Sequence, residues 1–220
     1  MRQSATRALH SYWSDLRGER AAPERADVDP AALRGVLPDT FMLEVDAARG
    51  FPVVLAGSRC NAIFGSSLRA RNFVDLFDPA DRYQIAAVCS SVCDDAAPVV
   101  AGLKAAAANG PALDLEMLLL PLRHRGKTHS RIIGSFSPAG FPDWLGLVPV
   151  ATLSLVSMRM LLAPEAARRA GAAERLPSGR AGDGVAVREN ASHRRAAFSV
   201  VQGGRAGSAD SRMPTRITFV

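Results

Sequence analysis

Residues 98–137 read PVVAGLKAAAANGPALDLEMLLLPLRHRGKTHSRIIGSFS, and two turn signals divide them into three extended runs. Asn109-Gly110 favours the positive φ angles of a tight hairpin, and the Arg-Gly-Lys of residues 125–127 offers a second reversal. Between the turns, apolar residues alternate with Asp114 and Glu116, which is the period of a half-buried strand. From Leu118 to Leu120 the run is continuously apolar, so we expect both faces of this strand to be covered. The stretch predicts a three-stranded antiparallel meander.

Two further strands precede the meander, at residues 41–45 and 51–56, and the turn residues Asp46 and Gly50 between them predict a hairpin. Short helical segments follow, and then a longer helix that Asp78-Pro79 opens and that buries a stripe at Ile85, Val88, Cys89 and Val92. This order predicts an α+β fold, a five-stranded antiparallel sheet with helices on one face. Residues 153–158 either add an edge strand or pack on the core as a last segment.

An amphipathic helix is predicted near the start of the chain, where Leu9, Tyr12, Trp13 and Leu16 share one face and Gly18 ends the helix. This apolar stripe has two candidate partners, the domain's own core or a second copy of the chain. The domain boundaries that follow are 1–20 for the helix, 21–160 for the sheet domain and 161–220 for a flexible tail. The tail is poor in hydrophobic periodicity and is predicted to be largely disordered, with short strand-like islands at 197–201 and 217–220.

The chain of 220 residues is basic, with 27 Lys and Arg against 21 Asp and Glu and a sequence pI near 10.0. Such a balance is compatible with nucleic acid or an anionic surface as partner. The arginines are nevertheless scattered, without a dense run or interleaved aromatic residues, which argues against nucleic acid. A basic binder acting through the Arg-bearing tail is kept as the alternative function. No apolar stretch is long enough to span a membrane and no signal peptide is present, so a cytoplasmic protein is predicted.

The residues that usually carry chemistry form no recognisable set. Cys60, Cys89 and Cys93 are an odd number without paired spacing, which fits neither a disulfide framework nor a zinc site. The four histidines form no metal-ligand pattern, and neither a Gly-x-Ser-x-Gly elbow nor a phosphate-binding loop occurs. The sequence therefore predicts no catalytic residue, no metal and no cofactor, and a protein that is not an enzyme.

A family resemblance rests on Trp13, on the Leu-Arg-Gly-Glu-Arg of residues 16–20 and on the Asp-Val-Asp-Pro of residues 27–30. It continues through residues 37–45, 55–58, 119–122 and 131–134, with a faint echo at residues 200–204. In these residues the chain resembles the PAS domain superfamily, and within it the small bacterial proteins that carry one PAS domain after an N-terminal helix. It departs from that subgroup at Val54, where a basic residue is usual, and at Ala70, where glycine is usual.

The resemblance implies a cytoplasmic sensory or regulatory module that acts through protein–protein contacts in a signalling pathway, with or without a small-molecule ligand. Flavin-binding PAS photosensors carry a reactive cysteine on the helix after the second strand, with asparagine before it and arginine after it. Here Arg59 precedes Cys60 and Asn61 follows it, so a photosensor is disfavoured. The expected ligand pocket is lined by Phe64, Phe73, Leu76, Leu119 and Ile133. The expected interaction surface, which would also support a homodimer, is formed by Leu9, Tyr12, Trp13 and Leu16. An adaptor with the same fold and a filled core is the second hypothesis.

Overall fold

A computed structural model describes residues 1–46, 48, 50–107 and 110–161. Helix α1 (Ser4–Arg17) leads into strands β1 (Thr40–Glu44) and β2 (Val53–Ala56), then helices α2 (Ser58–Ile63) and α3 (Arg82–Asp94). The chain continues with strands β3 (Val99–Ala107), β4 (Ala112–His124), β5 (Lys127–Pro138) and β6 (Val150–Met160). Short 3-10 helices occupy Arg25–Asp27, Leu37–Asp39 and Phe73–Leu76.

The strands form one antiparallel sheet in the order β2-β1-β5-β4-β3-β6. The predicted hairpin and the predicted meander thus lie in a single sheet, and the α+β class is confirmed. The sheet has six strands instead of five, because β6 pairs with β3 and becomes an edge strand. Of the two alternatives for residues 153–158, the edge strand is correct.

Each face of the sheet carries its own hydrophobic cluster. The inner cluster lies under α2, α3 and the 3-10 helix Phe73–Leu76, and it includes Phe41, Leu43, Met117, Leu119, Ile132 and Phe136 from the sheet. The outer cluster lies on the opposite face under α1 and joins Leu9 and Trp13 to Met42, Val100, Leu118, Leu120, Leu122 and Ile133. The helices after β2 cover one face as predicted, and α1 covers part of the other. This double cover is what the continuous apolar run in β4 requires.

Helix α3 begins three residues later than predicted, with Asp81 instead of Asp78 at its N-cap position and Arg82 as its first residue. Asp78 belongs to a preceding turn, in which its carboxylate accepts a hydrogen bond from the amide of Ala80 at 2.9 Å. The amide of Asp78 donates to the carbonyl of Leu153 in β6 at 2.8 Å. The segment before α3 is therefore tied to the sheet edge instead of continuing the helix. The predicted tail, apart from Leu161, and its two strand-like islands lie outside the described residues.

Two positions show where side-chain size is limited by the backbone. Ala70 has φ 68°, in the left-handed region where glycine is least costly, which explains the glycine usual in the subgroup at this place. Gly134 in β5 lies directly opposite Phe41 in β1. A Cβ at Gly134 would lie 2.5 Å from Cζ of Phe41 and 2.5 Å from the carbonyl oxygen of Leu118. The ring of Phe41 thus uses the space that a side chain at 134 would need.

We expect Gly134→Ala to destabilise the domain by about 1–3 kcal/mol, because the added methyl group forces Phe41 or the strand backbone to move. The matched control is Gly140→Ala, where nothing lies within 4 Å of the added Cβ and where the free energy of unfolding should barely change. Urea denaturation followed by circular dichroism measures both variants. Equal unfolding midpoints for the two would show that the Phe41 contact does not restrict position 134.

Candidate functional site

The core between the helices and the sheet is filled by phenylalanine rings. Ring centroids lie 4.7 Å apart for Phe41 and Phe136, 5.1 Å for Phe41 and Phe73, and 6.0 Å for Phe64 and Phe136. Four of the predicted pocket residues, Phe64, Phe73, Leu76 and Leu119, belong to this inner cluster and are buried. They do lie together, but they pack against other side chains of the same cluster. Their role in binding a ligand stays a prediction.

Ile133 does not belong with the other four predicted pocket residues. It lies in the outer cluster under α1, on the opposite face of the sheet. The register explains the error, because Leu119 pairs with Gly134 and Leu120 with Ile133. Paired residues of neighbouring strands share a face, so Ile133 faces the side opposite to Leu119. The five residues cannot line one common pocket.

All three cysteines are buried in the inner cluster. Cys60 lies in α2, and burial raises the pKa of its thiol to about 12. Burial likewise raises the pKa of Cys93 to about 12, with a further contribution from Asp94, and raises the pKa of Cys89. Burial thus keeps the Cys60 thiol in its protonated form, which is a poor nucleophile.

All three cysteines of the chain should therefore resist modification while the domain is folded. Treatment of the native protein with a maleimide at about pH 8 should label close to no thiols, because a neutral, buried thiol is a poor nucleophile. Unfolding in guanidinium should expose three thiols to the same reagent. Mass spectrometry counts the adducts, and fast labelling of native Cys60 would contradict the burial described.

Helix α1 docks on the sheet of its own chain. Leu9 and Trp13 are 0% and 4% exposed, and they pack on the apolar residues of β4 and β5, while Tyr12 and Leu16 are half-buried. Leu9 and Trp13 are thus covered within the chain itself, and the role of Leu9, Tyr12, Trp13 and Leu16 as an interaction surface stays a prediction. Of the two partners considered for the stripe, the structure shows the domain's own core.

Three hydrogen bonds hold α1 in this position. The indole Nε1 of Trp13 donates to the carbonyl of Pro121 at 2.8 Å, and the hydroxyl of Thr6 donates to that of Ser137 at 3.1 Å. Both bonds are buried. At the end of the helix, the Tyr12 hydroxyl accepts from the amide of Asp29 at 2.8 Å. The bonds fix the rotation and the position of α1 along the sheet, which apolar packing alone would leave less defined.

Glu116 of β4 supplies the cap that the sequence of α1 lacks. The N-cap residue Gln3 makes no side-chain capping bond. The carboxylate of Glu116 instead accepts from the backbone amides of Arg2 at 2.7 Å and Gln3 at 3.0 Å. Burial alone would raise the pKa of Glu116, but these two bonds, Thr6 and the amino terminus outweigh burial and lower the pKa. A carboxylate at a helix N-terminus is also favoured by the helix dipole.

The comparison with known proteins agrees with this architecture. A family model described as a PAS domain matches residues 1–137, which run from α1 to the end of β5. The chain belongs to the PAS domain family. No curated protein matches this PAS protein. The strand β6 lies beyond the matched span.

Several solved structures resemble the PAS domain at low similarity. The LOV protein of Rhodobacter sphaeroides is 18% identical with a TM-score of 0.39, covering 48% of this chain and 61% of its own. This chain thus matches about three fifths of that protein's length. The dark structure of the Aureochrome1 LOV photoreceptor is 17% identical with a TM-score of 0.39, covering 54% and 87%. The Erythrobacter litoralis EL346 blue-light-activated histidine kinase is 18% identical with a TM-score of 0.38, covering 50% and 35%.

Two grooves open beside β6 and the N-terminal part of the PAS domain. One, of about 500 Å³, is lined by the first three residues, by Glu116 and by residues 156–159. The other, of about 410 Å³, is lined by Trp13, Arg17, Arg159 and Leu161, among others. His10 borders the second groove, where burial lowers its pKa and the positive charges of Arg17 and the amino terminus lower it further. Neither groove is lined by the predicted pocket residues.

Residues 1–46, 48, 50–107 and 110–161 contain no group of three or more His, Cys, Asp or Glu side chains arranged to hold a metal. No helix in the same residues has the length and apolar character needed to cross a membrane. The alternative of a basic binder depends on residues 162–220, which lie outside the described residues, and it stays a prediction.

The lowered pKa of Glu116 makes a pH-dependent prediction. Its charged form is stabilised in the folded state, so its stabilising effect is present at neutral pH and is lost as the pH falls through the folded pKa. Glu116→Gln should therefore destabilise the domain at neutral pH, and the difference from wild type should shrink below about pH 4.5. Urea midpoints across a pH series measure this difference, with the exposed Glu19→Gln as control. A difference that is constant with pH would show that the carboxylate charge does not contribute.

Proposed function

We propose that this chain is a cytoplasmic, non-enzymatic regulatory PAS module that acts through protein–protein contacts and that α1 is its variable element. The observation that carries the proposal is that α1 covers an apolar patch on the outer face of the sheet. The patch belongs to the outer cluster, in which Ala22 and Leu33 of the segment between α1 and β1 share the cover with α1. Its sheet residues are Met42, Val100, Leu118, Leu120, Leu122 and Ile133. Release of α1 would turn this patch into a contact surface for another protein.

The free energy gained by burying the patch limits which partners could displace α1. Full burial of one leucine side chain contributes about 1.5–3 kcal/mol. Leu118, Leu120 and Leu122 together are thus too costly to leave in water. A partner that displaces α1 must cover the same face with apolar side chains of its own. An amphipathic helix that mimics Leu9 and Trp13 has this chemistry.

Polar features at the interface support reversible docking. The hydroxyl of Ser135 is buried on the outer face of the sheet and has no hydrogen-bond partner among the described residues. An unpaired buried hydroxyl costs about 1–3 kcal/mol, so the packing on this face is less favourable than its apolar contacts alone suggest. The pKa values of His10 and Glu116 are both lowered in the structure with α1 docked. Protonation of either side chain therefore disfavours the docked state, so we expect docking to weaken at acid pH.

A small ligand that controls the docking of α1 is expected to bind in one of the two grooves near the N-terminal part of the chain. Phenylalanine rings pack closely in the inner cluster, whereas one groove is lined by α1 and the other by residues 1–3, which lead into it. A ligand shifts the equilibrium between docked and released α1 only by its difference in affinity for the two states. Native mass spectrometry of the purified protein separates a ligand-gated module from an adaptor that works without a ligand.

The test locks α1 on the sheet with a reversible disulfide. Thr6 and Ser137 are buried, and their hydroxyl oxygens lie 3.1 Å apart, so Thr6→Cys combined with Ser137→Cys places two thiols close together. The oxidised double variant should lose capture of protein partners from cell extract by at least about tenfold, and reduction should restore it. Hydrogen exchange at residues 118–122 should slow on oxidation, which shows that the lock is formed.

The single variant Thr6→Cys is the matched control, because it loses the same hydroxyl and forms no lock. Its partner capture should be independent of the redox state. Equal capture by the oxidised and the reduced double variant would refute α1 as the variable element. Absence of any captured protein in either state would refute a function through protein contacts.

A further inference from the structure

Strand β6 is the outermost strand beside β3, and its outer edge differs between its two halves. In the first half, the carbonyl of Leu153 accepts from the amide of Asp78 at 2.8 Å. The amide of Leu155 donates to the carboxylate of Asp81 at 2.7 Å. The segment that leads into α3 therefore satisfies the edge as far as Leu155. Beyond Leu155, no described segment pairs with the outer edge of β6.

The open half of β6, residues 156–160, carries side chains suited to pairing with another strand. Val156, Met158 and Met160 are 67%, 40% and 41% exposed, although they are large and apolar. Arg159 is the single charge among residues 156–160, and proline is absent from them. Natural edge strands are usually protected by charges, proline or bulges that turn the edge away. A bulge does occur in β6, opposite Gly102 and Leu103, but it lies at the start of the open half.

From this edge we infer that the protein self-associates through β6, with two copies pairing antiparallel about a two-fold axis at Met158. Residues 156–160 read Val-Ser-Met-Arg-Met, so their polarity is the same in both chain directions. In this register Met158 faces the partner's Met158, and Val156 faces the partner's Met160. Ser157 faces the partner's Arg159, so no like charges are opposed.

The pairing joins the two sheets into one of twelve strands, since each chain contributes six. Backbone hydrogen bonds supply the affinity and the alternating apolar side chains set the register. Five residues on each side bury much less than the roughly 1,600 Å² of a standard interface, so the dimer is weak and concentration-dependent. This inference is independent of the proposed movement of α1 and is tested by a different measurement.

The first experiment is a crosslink in the full chain. Met158→Cys places one thiol of each copy at the two-fold axis, where Cα atoms of paired strands lie about 5.5 Å apart, within disulfide range. Mild oxidation should give a covalent dimer, and the three native cysteines contribute no background because they are buried. Tyr83→Cys, at an 88% exposed position in α3, is the matched control and should stay monomeric.

The second experiment measures self-association without a new thiol. Light scattering over a concentration series should show a dimer for wild type and at least about tenfold weaker association for Met158→Lys, which opposes two charges on the axis. Tyr83→Lys should associate like wild type. A monomeric wild type without crosslinking at position 158, as expected where residues 162–220 cover the edge, would overturn the inference. Equal association of wild type and Met158→Lys would also overturn it.

Discussion

The requirement that β4 be buried on both faces organises this domain. Met117 and Leu119 face the helices, while Leu118 and Leu120 face α1, and all four side chains are fully buried. A strand of this composition is stable only as the middle layer of three. The helix is therefore part of the fold, and its movement must be coupled to a replacement cover.

Periodicity along the chain was sufficient to predict the elements. The hairpin, the meander, the amphipathic stripe of α1 and the buried stripe of α3 all follow from local residue patterns, and the structure has them. The double cover of β4 followed from three consecutive leucines. What the sequence could not show is which element covers which face, since the stripe of Leu9 and Trp13 fits a second copy as well as the domain's own sheet.

The site was less predictable because it depends on register. Ile132 and Ile133 are equally apolar, and only the pairing of β5 with β4 shows which of them shares a face with Leu119. Glu116 looked like an ordinary solvent-facing residue in an alternating strand. Its role as the cap of α1 joins positions more than one hundred residues apart, and no local pattern encodes that contact.

The two grooves of this PAS domain lie beside β6. Residues 1–3 line the first groove and α1 lines the second, and Met1 and Arg159 line both. The proposed release of α1 and the proposed pairing of β6 involve different faces of the sheet, because Met158 and Met160 pair with Ala101 and Val99 of the inner cluster, whereas α1 packs on the outer cluster. Coupling between two such equilibria is always reciprocal. If release of α1 by a partner changed the affinity of the dimer, dimer formation would change the affinity for that partner by the same factor.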